Sequence, residues 1–322
     1  MKAVWLEHGR LSLRDDLPIP EPTPSQALIK VLRAGICATD LEMVRGYYPF
    51  QGILGHEFVG QVVSAPGHAD RVGQRVVGEI NIACGACATC RRGYRTHCEH
   101  RKVLGIRGYH GAFAEYLLLP LENLHVVPPG LPDDVAVFCE PLAAAVEILE
   151  QVHIRPNERV CLIGAGRLGQ LIARVLKLSG VNLGVVARYQ SQVDLLNGLA
   201  VNILTESQVN DEHFDIVIEA TGSPDGFDLA RSAVCPKGTI ILKSTFKAAM
   251  SIDISRIVVD EITVIGSRCG PFRPAIDLLT TGCLNPRSLI SAHFPLQAAL
   301  EAFQHAGQPG VLKVVLTMAA ST

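Results

Sequence analysis

The chain has 322 residues, of which 48% are hydrophobic and 19% charged, so it is long enough for two domains with buried cores and too apolar to be disordered. Its net charge of −2 gives no electrostatic reason to expect nucleic acid or an anionic membrane as a partner. The N-terminal segment lacks the apolar stretch of a signal peptide, and no apolar run approaches the length of a membrane span, so a cytoplasmic protein is expected.

Short β-branched runs, several of them bounded by Gly or Pro, dominate roughly the first 140 residues. Their spacing is typical of a small barrel, so we expect a β-rich domain over residues 1–141. The predicted strands are Ala27–Ala34, Val59–Ala65 and Val72–Glu79.

Two segments of this domain carry side chains of the types that can bind zinc. Cys37 lies in the segment G-I-C-A-T-D, and His56 and Glu57 lie in G-H-E-F-V-G. Neither segment is specific by itself, because a buried thiol or a hydrogen-bonded core histidine explains such residues more often than a metal does.

Four cysteines follow with the spacing C-x2-C-x2-C-x7-C, namely Cys84, Cys87, Cys90 and Cys98. Four thiolates this close in sequence predict a closed, tetrahedral structural zinc site in a lobe at about residues 81–101. An iron–sulfur cluster uses similar ligands, but no proline follows the last cysteine as it does in the bacterial ferredoxin pattern. A zinc ribbon that binds nucleic acid is a further alternative, and the acidic net charge and 5% aromatic content disfavour it.

The character of the sequence changes near Pro141, where apolar strands begin to alternate with helical segments. Such alternation predicts an α/β, doubly wound parallel sheet, which we place at residues 142–284. The predicted elements are strands Arg159–Ile163, Leu183–Ala187, Phe214–Glu219, Thr239–Lys243 and Ile262–Ile265, with a helix at Leu168–Leu178. Residues 285–322 are of mixed character, and their strand Val311–Thr317 is expected to rejoin the first domain.

A glycine-rich turn follows the first strand of the predicted parallel sheet. Gly164, Gly166 and Gly169 fill the pattern G-x-G-x-x-G between a strand and a helix, which is the fingerprint of a Rossmann dinucleotide site. The amides of Arg167 and Leu168 then open a helix N-terminus, where a phosphate binds favourably.

The end of the second strand indicates which dinucleotide is bound. NAD sites place an acidic residue there for the ribose 2′-hydroxyl, but Ala187 occupies that position and Arg188 follows. An arginine can hold a 2′-phosphate with two hydrogen bonds, so NADP is predicted, with NAD less favoured. The alternative is that Arg188 is an ordinary solvated arginine.

These motifs occur in the order C-A-T-D, G-H-E-F-V-G, the four-cysteine lobe, E-P-L and G-A-G-R-L-G, and they span nearly the whole chain. The chain therefore resembles the zinc-dependent medium-chain alcohol dehydrogenases, and most closely their polyol, threonine and sugar dehydrogenase branch. The resemblance implies a GroES-like catalytic domain with a structural zinc lobe, joined to a Rossmann domain. In that branch the glutamate of the E-P-L segment replaces a cysteine ligand, and Glu140 matches it.

The resemblance also implies a ligand set for a second, catalytic zinc. Cys37 and His56 are direct ligands, Glu57 is a ligand or an exchanging neighbour, and Glu140 is a direct or water-bridged ligand. Cys139, beside Glu140 in the sequence, is a minor rival for that position.

Further roles carry over from the same family. Asp40 is similar to the carboxylate that orients the ligand histidine, which is a common arrangement around zinc. Thr39 corresponds to the hydroxyl that takes the substrate proton, and Thr221 to a residue beside the cofactor. Glu42 stands where the family often has a relay histidine, so proton exit is expected through Glu42, a ribose hydroxyl or water.

The sequence therefore predicts an enzyme with two zinc ions per chain that transfers a hydride between a polyol, sugar or related alcohol and NADP, with zinc polarising the substrate oxygen. A small-molecule substrate and a homodimer or homotetramer are expected. The alternative is a protein of the same fold that binds NADP as a sensor or structural component without turnover.

Overall fold

The computed structural model describes residues 1–247 and 249–318, apart from the side chain of Asp211. The chain divides into two compact units. Unit 1 comprises Met1–Glu140 and the chain from Phe272 onward, and unit 2 comprises Pro141–Pro271. The predicted nucleotide-binding domain runs past this division to residue 284, and its limits stay a prediction.

Most of unit 1 consists of short strands. In the N-terminal part these are β1 Ala3–Glu7, β2 Arg10–Arg14, β3 Gln26–Ile36, β4 Gly52–Ile53, β5 Glu57–Ser64, β6 Arg75–Gly78, β7 Asn81–Ile82, β8 Lys102–Leu104, β9 Gly108–Tyr109, β10 Tyr116–Pro120 and β11 Leu124–Val126. The accompanying helices are α1 Ala38–Val44, α2 Ala88–Arg91, α3 Asp133–Ala136 and α4 Cys139–Gln151, and the last of these crosses into unit 2.

Unit 2 alternates strands and helices. Its strands are β12 Arg159–Ile163, β13 Asn182–Val186, β14 Asn202–Leu204, β15 Phe214–Glu219, β16 Val234–Leu242 and β17 Thr263–Gly266. Its helices are α5 Arg167–Leu178, α6 Gln190–Leu196, α7 Glu206–Asp211, α8 Pro224–Ala233 and α9 Ile254–Val259. The chain then returns to unit 1 with α10 Phe272–Thr280, β18 Ile290–Pro295, α11 Ala299–Ala306 and β19 Lys313–Thr317.

The main sheet of unit 1 has seven strands in the order β11-β6-β5-β3-β19-β18, with β10 also paired to β3. Strand β3 lies at its centre because its apolar side chains alternate, so that Ala27, Ile29 and Val31 are buried. Strand β19, which lies within the strand predicted at Val311–Thr317, pairs antiparallel with β3.

One predicted strand of unit 1 is too long. Residues Val72–Glu79 were expected to be extended throughout, but a 3-10 turn occupies Ala69–Arg71 and Gly73 adopts a φ of +86°. Strand β6 therefore begins only at Arg75. The β-branched Val72 is half exposed, at 49%, because it belongs to the turn and not to the sheet.

The sheet of unit 2 has the strand order β14-β13-β12-β15-β16-β17, and all of its pairs are parallel. This confirms the predicted Rossmann sheet. Its central strand β12 is buried along Val160–Ile163, as expected for a parallel strand that is covered on both faces. None of the helices within the described ranges is both long and apolar enough to cross a membrane.

Candidate active site

The four cysteines of the lobe converge in the structure. Their sulfurs lie within 4.8 Å of one another, and all four are free thiols. Helix α2 begins directly after Cys87, whose sulfur accepts a hydrogen bond from the amide of Cys90 at 3.4 Å. The amide of Cys84 donates in the same way to the sulfur of Cys98 at 3.3 Å. Backbone amides aimed at sulfur favour thiolates, so this donor set fits a closed tetrahedral zinc site.

The thiols of the lobe differ in their acidity before any metal binds. Amide hydrogen bonds from Cys90 and Glu99 lower the pKa of Cys87 to about 6. Burial, followed by the neighbouring thiols of Cys87 and Cys98, raises the pKa of Cys90 to about 12. Zinc deprotonates the thiols that bind it, so metal binding at this lobe releases protons.

The second group of candidate ligands is Cys37, His56 and Glu57, whose ligand atoms also lie within 4.8 Å of one another. Cys37 is the residue that precedes helix α1, and Glu57 is the first residue of strand β5. His56 and Glu57 are buried, and Cys37 is partly exposed. A thiol, an imidazole and a carboxylate are ligand types of a catalytic zinc site, in which three protein ligands leave a fourth position for water or substrate.

Asp40 lies beside both Cys37 and His56. Its Oδ2 accepts a hydrogen bond from the backbone amide of Cys37 at 2.8 Å, as in a helix capping box. Its Oδ1 lies 3.2 Å from Nδ1 of His56, although the two atoms are not aligned as a hydrogen bond. Burial acts to lower the pKa of His56, but Asp40 and then Cys37 outweigh it, and the pKa of His56 stands well above its usual value.

Several buried polar atoms of this group have no hydrogen-bond partner in the part of the chain that the structure describes. They are Oδ1 of Asp40, Nδ1 of His56 and Oε1 of Glu57. A buried unsatisfied polar atom is costly, so a cluster of them calls for an explanation. Zinc, placed among the thiol, the imidazole and the carboxylate, fits both the donor types and the need of the Glu57 oxygen for a partner.

The other oxygen of Glu57 is occupied by a residue that the sequence analysis missed. Lys313, on strand β19, donates from Nζ to Oε2 of Glu57, and both residues are buried. The Lys313 ammonium also lies 5.7 Å from the ring centre of Phe138. The available signal was a single lysine inside the apolar run V-L-K-V-V-L, since a charged residue there needs a buried partner.

The remaining predicted catalytic residues lie on α1 and at the start of α4. Thr39, in the first turn of α1, has Oγ1 3.8 Å from the sulfur of Cys37. Glu42, one turn later, accepts from Arg45 at 2.6 Å. Glu140 is the second residue of α4 and half-buried, and it lies outside the group of three, so its role as a ligand stays a prediction. Cys139 is buried, and burial raises its pKa well above the usual value.

Unit 2 forms the expected turn between β12 and α5. Gly164 has a φ of +102°, which other residues rarely adopt, and a Cβ there would lie 2.8 Å from the carbonyl oxygen of Ala220. A Cβ on Gly169 would lie 2.0 Å from the carbonyl oxygen of Gly164, so strand and helix pack closely at this point. A Cβ on Gly166, the N-cap of α5, would meet nothing within 4 Å. The space above this turn is therefore open in front of the helix amides, as a pyrophosphate requires.

Arg188 and Thr221 flank the glycine-rich turn at the carboxyl ends of neighbouring strands. Strands β13 and β15 both pair with β12, and Arg188 follows the first while Thr221 follows the second. Thr221 is fixed by hydrogen bonds from its amide and its hydroxyl to Oε1 of Glu219, both at 2.6 Å. The Arg188 side chain is exposed, and within the described ranges no hydrogen bond or ion pair engages its guanidinium.

The aromatic segment after α1 borders a cavity of about 540 Å³ in unit 1. Tyr48 and Phe50 line it together with Leu6, Met43 and Pro49. The lining is mostly apolar, so the cavity can hold the carbon skeleton of a small molecule.

Comparison with known proteins gives a consistent result. Residues 23–129 match the family described as the alcohol dehydrogenase GroES-like domain. The sorbitol dehydrogenase of Halalkalibacterium halodurans is 30% identical over 92% of this chain and 94% of its own length.

Two solved structures extend the comparison to the fold. One, described as a zinc-binding dehydrogenase from Sinorhizobium meliloti 1021 bound to NADP, has a TM-score of 0.90 at 30% identity and covers 98% of both chains. The other, described as a short chain alcohol dehydrogenase from Escherichia coli CFT073 complexed with NADH, has a TM-score of 0.90 at 27% identity and covers 98% of this chain and 99% of its own.

Proposed function

The chain belongs to the zinc-dependent medium-chain alcohol dehydrogenase family, and we propose that Cys37, His56 and Glu57 hold the zinc at which it oxidises an alcohol or reduces the corresponding carbonyl with NADP(H). The observation that carries this proposal is the convergence of a thiol, an imidazole and a carboxylate whose remaining oxygen has no other partner among the described residues. The four-cysteine lobe supplies a second zinc site, so two zinc ions per chain are proposed.

In this proposal the metal and the nicotinamide supply the chemistry that protein side chains lack: zinc polarises the substrate oxygen as a Lewis acid, and the cofactor carries the hydride. Thr39 accepts the hydroxyl proton of the alcohol and passes it on, and Glu42, one helical turn away, is a candidate for the next step. Asp40 is proposed to orient the imidazole of His56, since its Oδ1 lies 3.2 Å from Nδ1 of His56 while its Oδ2 accepts from the amide of Cys37. Glu140 is proposed to bind the zinc directly or through water.

The substrate class proposed is a small polyol, sugar or related alcohol. The support is the similarity to a sorbitol dehydrogenase and the glutamate at position 140 in place of a cysteine. The cavity beside Tyr48 and Phe50 is also lined by His8 and Gln51, whose polar side chains suit the hydroxyl groups of such a compound.

NADP is proposed as the preferred cofactor. Ala187 leaves the strand end without a carboxylate, and the exposed guanidinium of Arg188 is available for a 2′-phosphate. The related Sinorhizobium structure carries NADP, whereas the Escherichia coli one carries NADH, so the bound cofactor differs between these two structures. The proposal for this chain therefore rests on Ala187 and Arg188 at the strand end.

The experiment is a turnover assay. Zinc-loaded protein is incubated with a panel of polyols, sugar alcohols, simple alcohols and their carbonyl counterparts, with NADP(H) and NAD(H), and the reduced nicotinamide is followed by absorbance. Turnover with at least one pair, faster with NADP(H), is expected. Tight NADP binding without turnover of any substrate would favour the alternative of a sensor or structural protein.

A homodimer or homotetramer is proposed for the assembly. An apolar patch on unit 2 supports it, since Val258 and Val259 of α9 are 67% and 79% exposed and lie close in the chain to β17, the last strand of the sheet. Exposed apolar surface beside an open sheet edge is unusual on a monomer. Light scattering of the parent and of Val259→Glu tests this, and a parent that is monomeric would contradict it.

A further inference from the structure

Two buried glutamine side chains connect the glycine-rich turn to the segment that carries Arg188. Gln170 is fully buried in α5, and Gln192 is 8% exposed in α6. Neither was singled out from the sequence, because glutamine in an amphipathic helix is commonly a surface residue. A buried amide destabilises the fold unless its donors and acceptors form hydrogen bonds. The hydrogen bonds of these two side chains therefore indicate what the amides do.

Gln170 joins the glycine-rich turn to α6. Its Nε2 donates to the carbonyl oxygen of Ala165, inside the turn, at 3.2 Å. The same nitrogen donates to the backbone carbonyl of Gln192 at 3.0 Å. Its Oε1 accepts from Arg174 at 2.8 Å, and Arg174 donates in addition to the carbonyl of Leu195 at 2.9 Å. Every polar atom of the Gln170 side chain is thus used, which fixes the orientation of the amide.

Gln192 completes the connection to Arg188. Its Oε1 accepts from the backbone amides of Arg188 at 3.2 Å and of Tyr189 at 3.4 Å. Both residues lie in the short connection between β13, which ends at Val186, and α6, which begins at Gln190. Without this acceptor the two amides would need water, and the backbone beneath the Arg188 guanidinium would be free to move.

We propose that Gln192, held by Gln170, is a positioning residue for recognition of the cofactor's adenosine 2′-phosphate. The pyrophosphate site at the glycine-rich turn and the 2′-phosphate site at Arg188 must keep one separation, since a single dinucleotide occupies both. The path Ala165–Gln170–Gln192–Arg188 sets that separation through hydrogen bonds within one unit of the fold. The inference rests on the proposed use of NADP.

Two classes of ligand should differ in how strongly their binding depends on the position of Arg188. A ligand with a 2′-phosphate needs the guanidinium at a defined place, whereas a ligand without one is held by the turn alone. Removing the Gln192 acceptor should therefore weaken binding of 2′-phosphorylated ligands selectively. A residue that only stabilised α6 would change the melting temperature and would affect both classes equally.

The test measures calorimetric dissociation constants for 2′,5′-ADP, 5′-AMP, NADP and NAD with the zinc-loaded enzyme. The variants are Gln192→Met and Gln170→Met, which keep the side-chain length, and Arg188→Ala. The matched control is Gln190→Met, in the same helix, because the Gln190 amide donates on the surface to Asp194 at 2.9 Å and to no other of the described residues. Its preference for 2′-phosphorylated ligands should equal that of the parent.

We expect Arg188→Ala to lose most of a preference of about 10- to 100-fold, and Gln192→Met to lose about tenfold of it with little change for 5′-AMP and NAD. Gln170→Met should act in the same direction, and it provides the test should Gln192→Met fail to fold. If Arg188→Ala loses the preference while both glutamine variants keep it, the positioning role is wrong and the proposed cofactor stands. If the parent itself binds NAD as tightly as NADP, the proposed cofactor preference is wrong, and this inference falls with it.

Discussion

Lys313 and Glu57 form a buried ion pair across the central strand of the unit 1 sheet. They meet because Glu57 on β5 and Val315 on β19 both pair with Gly35 on β3, which lies between them. The pair occupies Oε2 of Glu57, while Oε1 has no hydrogen-bond partner among the described residues. Glu57 thus has one carboxylate oxygen held by Lys313 and one oxygen available to bind a metal.

Removing the lysine should destabilise unit 1. Lys313→Met leaves the Glu57 carboxylate buried without its cation, and breaking a buried pair in this way costs about 3–5 kcal/mol. For a unit of this size we expect a melting temperature lower by about 10 °C. Calorimetry at equal zinc content measures this change in melting temperature.

Lys237→Met is the control. It breaks an ion pair to Glu261 whose side chains are 80% and 66% exposed, and it should shift the melting temperature by less than about 3 °C. Equal shifts for the two variants would show that the buried pair contributes little.

Gly35 should be required for the position of Glu57. A Cβ at residue 35 would lie 2.3 Å from Oε2 of Glu57, so Gly35→Ala must displace the carboxylate. We expect the affinity of the catalytic zinc to fall by at least about tenfold, by analogy with the loss of residues that orient metal ligands. Chelator competition measures the affinity. Gly266→Ala serves as control, because a Cβ there meets nothing within 4 Å. Unchanged zinc affinity in Gly35→Ala would remove Glu57 from the ligand set.

What the sequence could predict depends on how far apart the partners lie along the chain. The four-cysteine lobe and the turn from Gly164 to Gly169 are local, so spacing and residue type were enough to predict them. The ion pair of Lys313 joins residues 256 positions apart, and only the pairing of β19 and β5 with β3 brings them together. Gln170 and Gln192 were missed for a related reason: burial of a polar side chain depends on packing that no local pattern encodes.

Glu140 and Cys139 can be distinguished by matched substitutions. Glu140→Ala should weaken catalytic zinc binding, by about 10- to 100-fold if the glutamate acts through water and by more if it binds directly. Cys139→Ser should leave zinc affinity unchanged, because the buried Cys139 thiol is directed at the carbonyl oxygen of Phe272, 4.0 Å away, and does not belong to the group of converging ligands. Zinc content after dialysis against a chelator is the measurement. The opposite pattern, with zinc lost only in Cys139→Ser, would assign the ligand to the cysteine.

The cofactor preference should reverse on exchange of two residues. In Ala187→Asp combined with Arg188→Ile, the aspartate accepts from a 2′-hydroxyl and repels a 2′-phosphate, and the arginine that holds the phosphate is gone. A charged, two-point contact of this kind is worth about 1.5–3 kcal/mol, which is about 10- to 100-fold in favour of NADP in the parent. The parent should therefore have the higher kcat/KM with NADP, and the double variant should have the higher kcat/KM with NAD. A parent that prefers NAD would show that Arg188 does not contact the phosphate.

The two groups of ligands are proposed to hold two zinc ions with different functions, one catalytic and one structural. The most direct measurement is zinc content together with turnover in the parent, His56→Ala and Cys90→Ser. We predict two zinc ions in the parent and one in each variant. His56→Ala should stay folded without turnover, and Cys90→Ser should lose thermal stability, because structural zinc contributes folding energy. His56→Ala with two zinc ions, or with the turnover of the parent, would contradict this account.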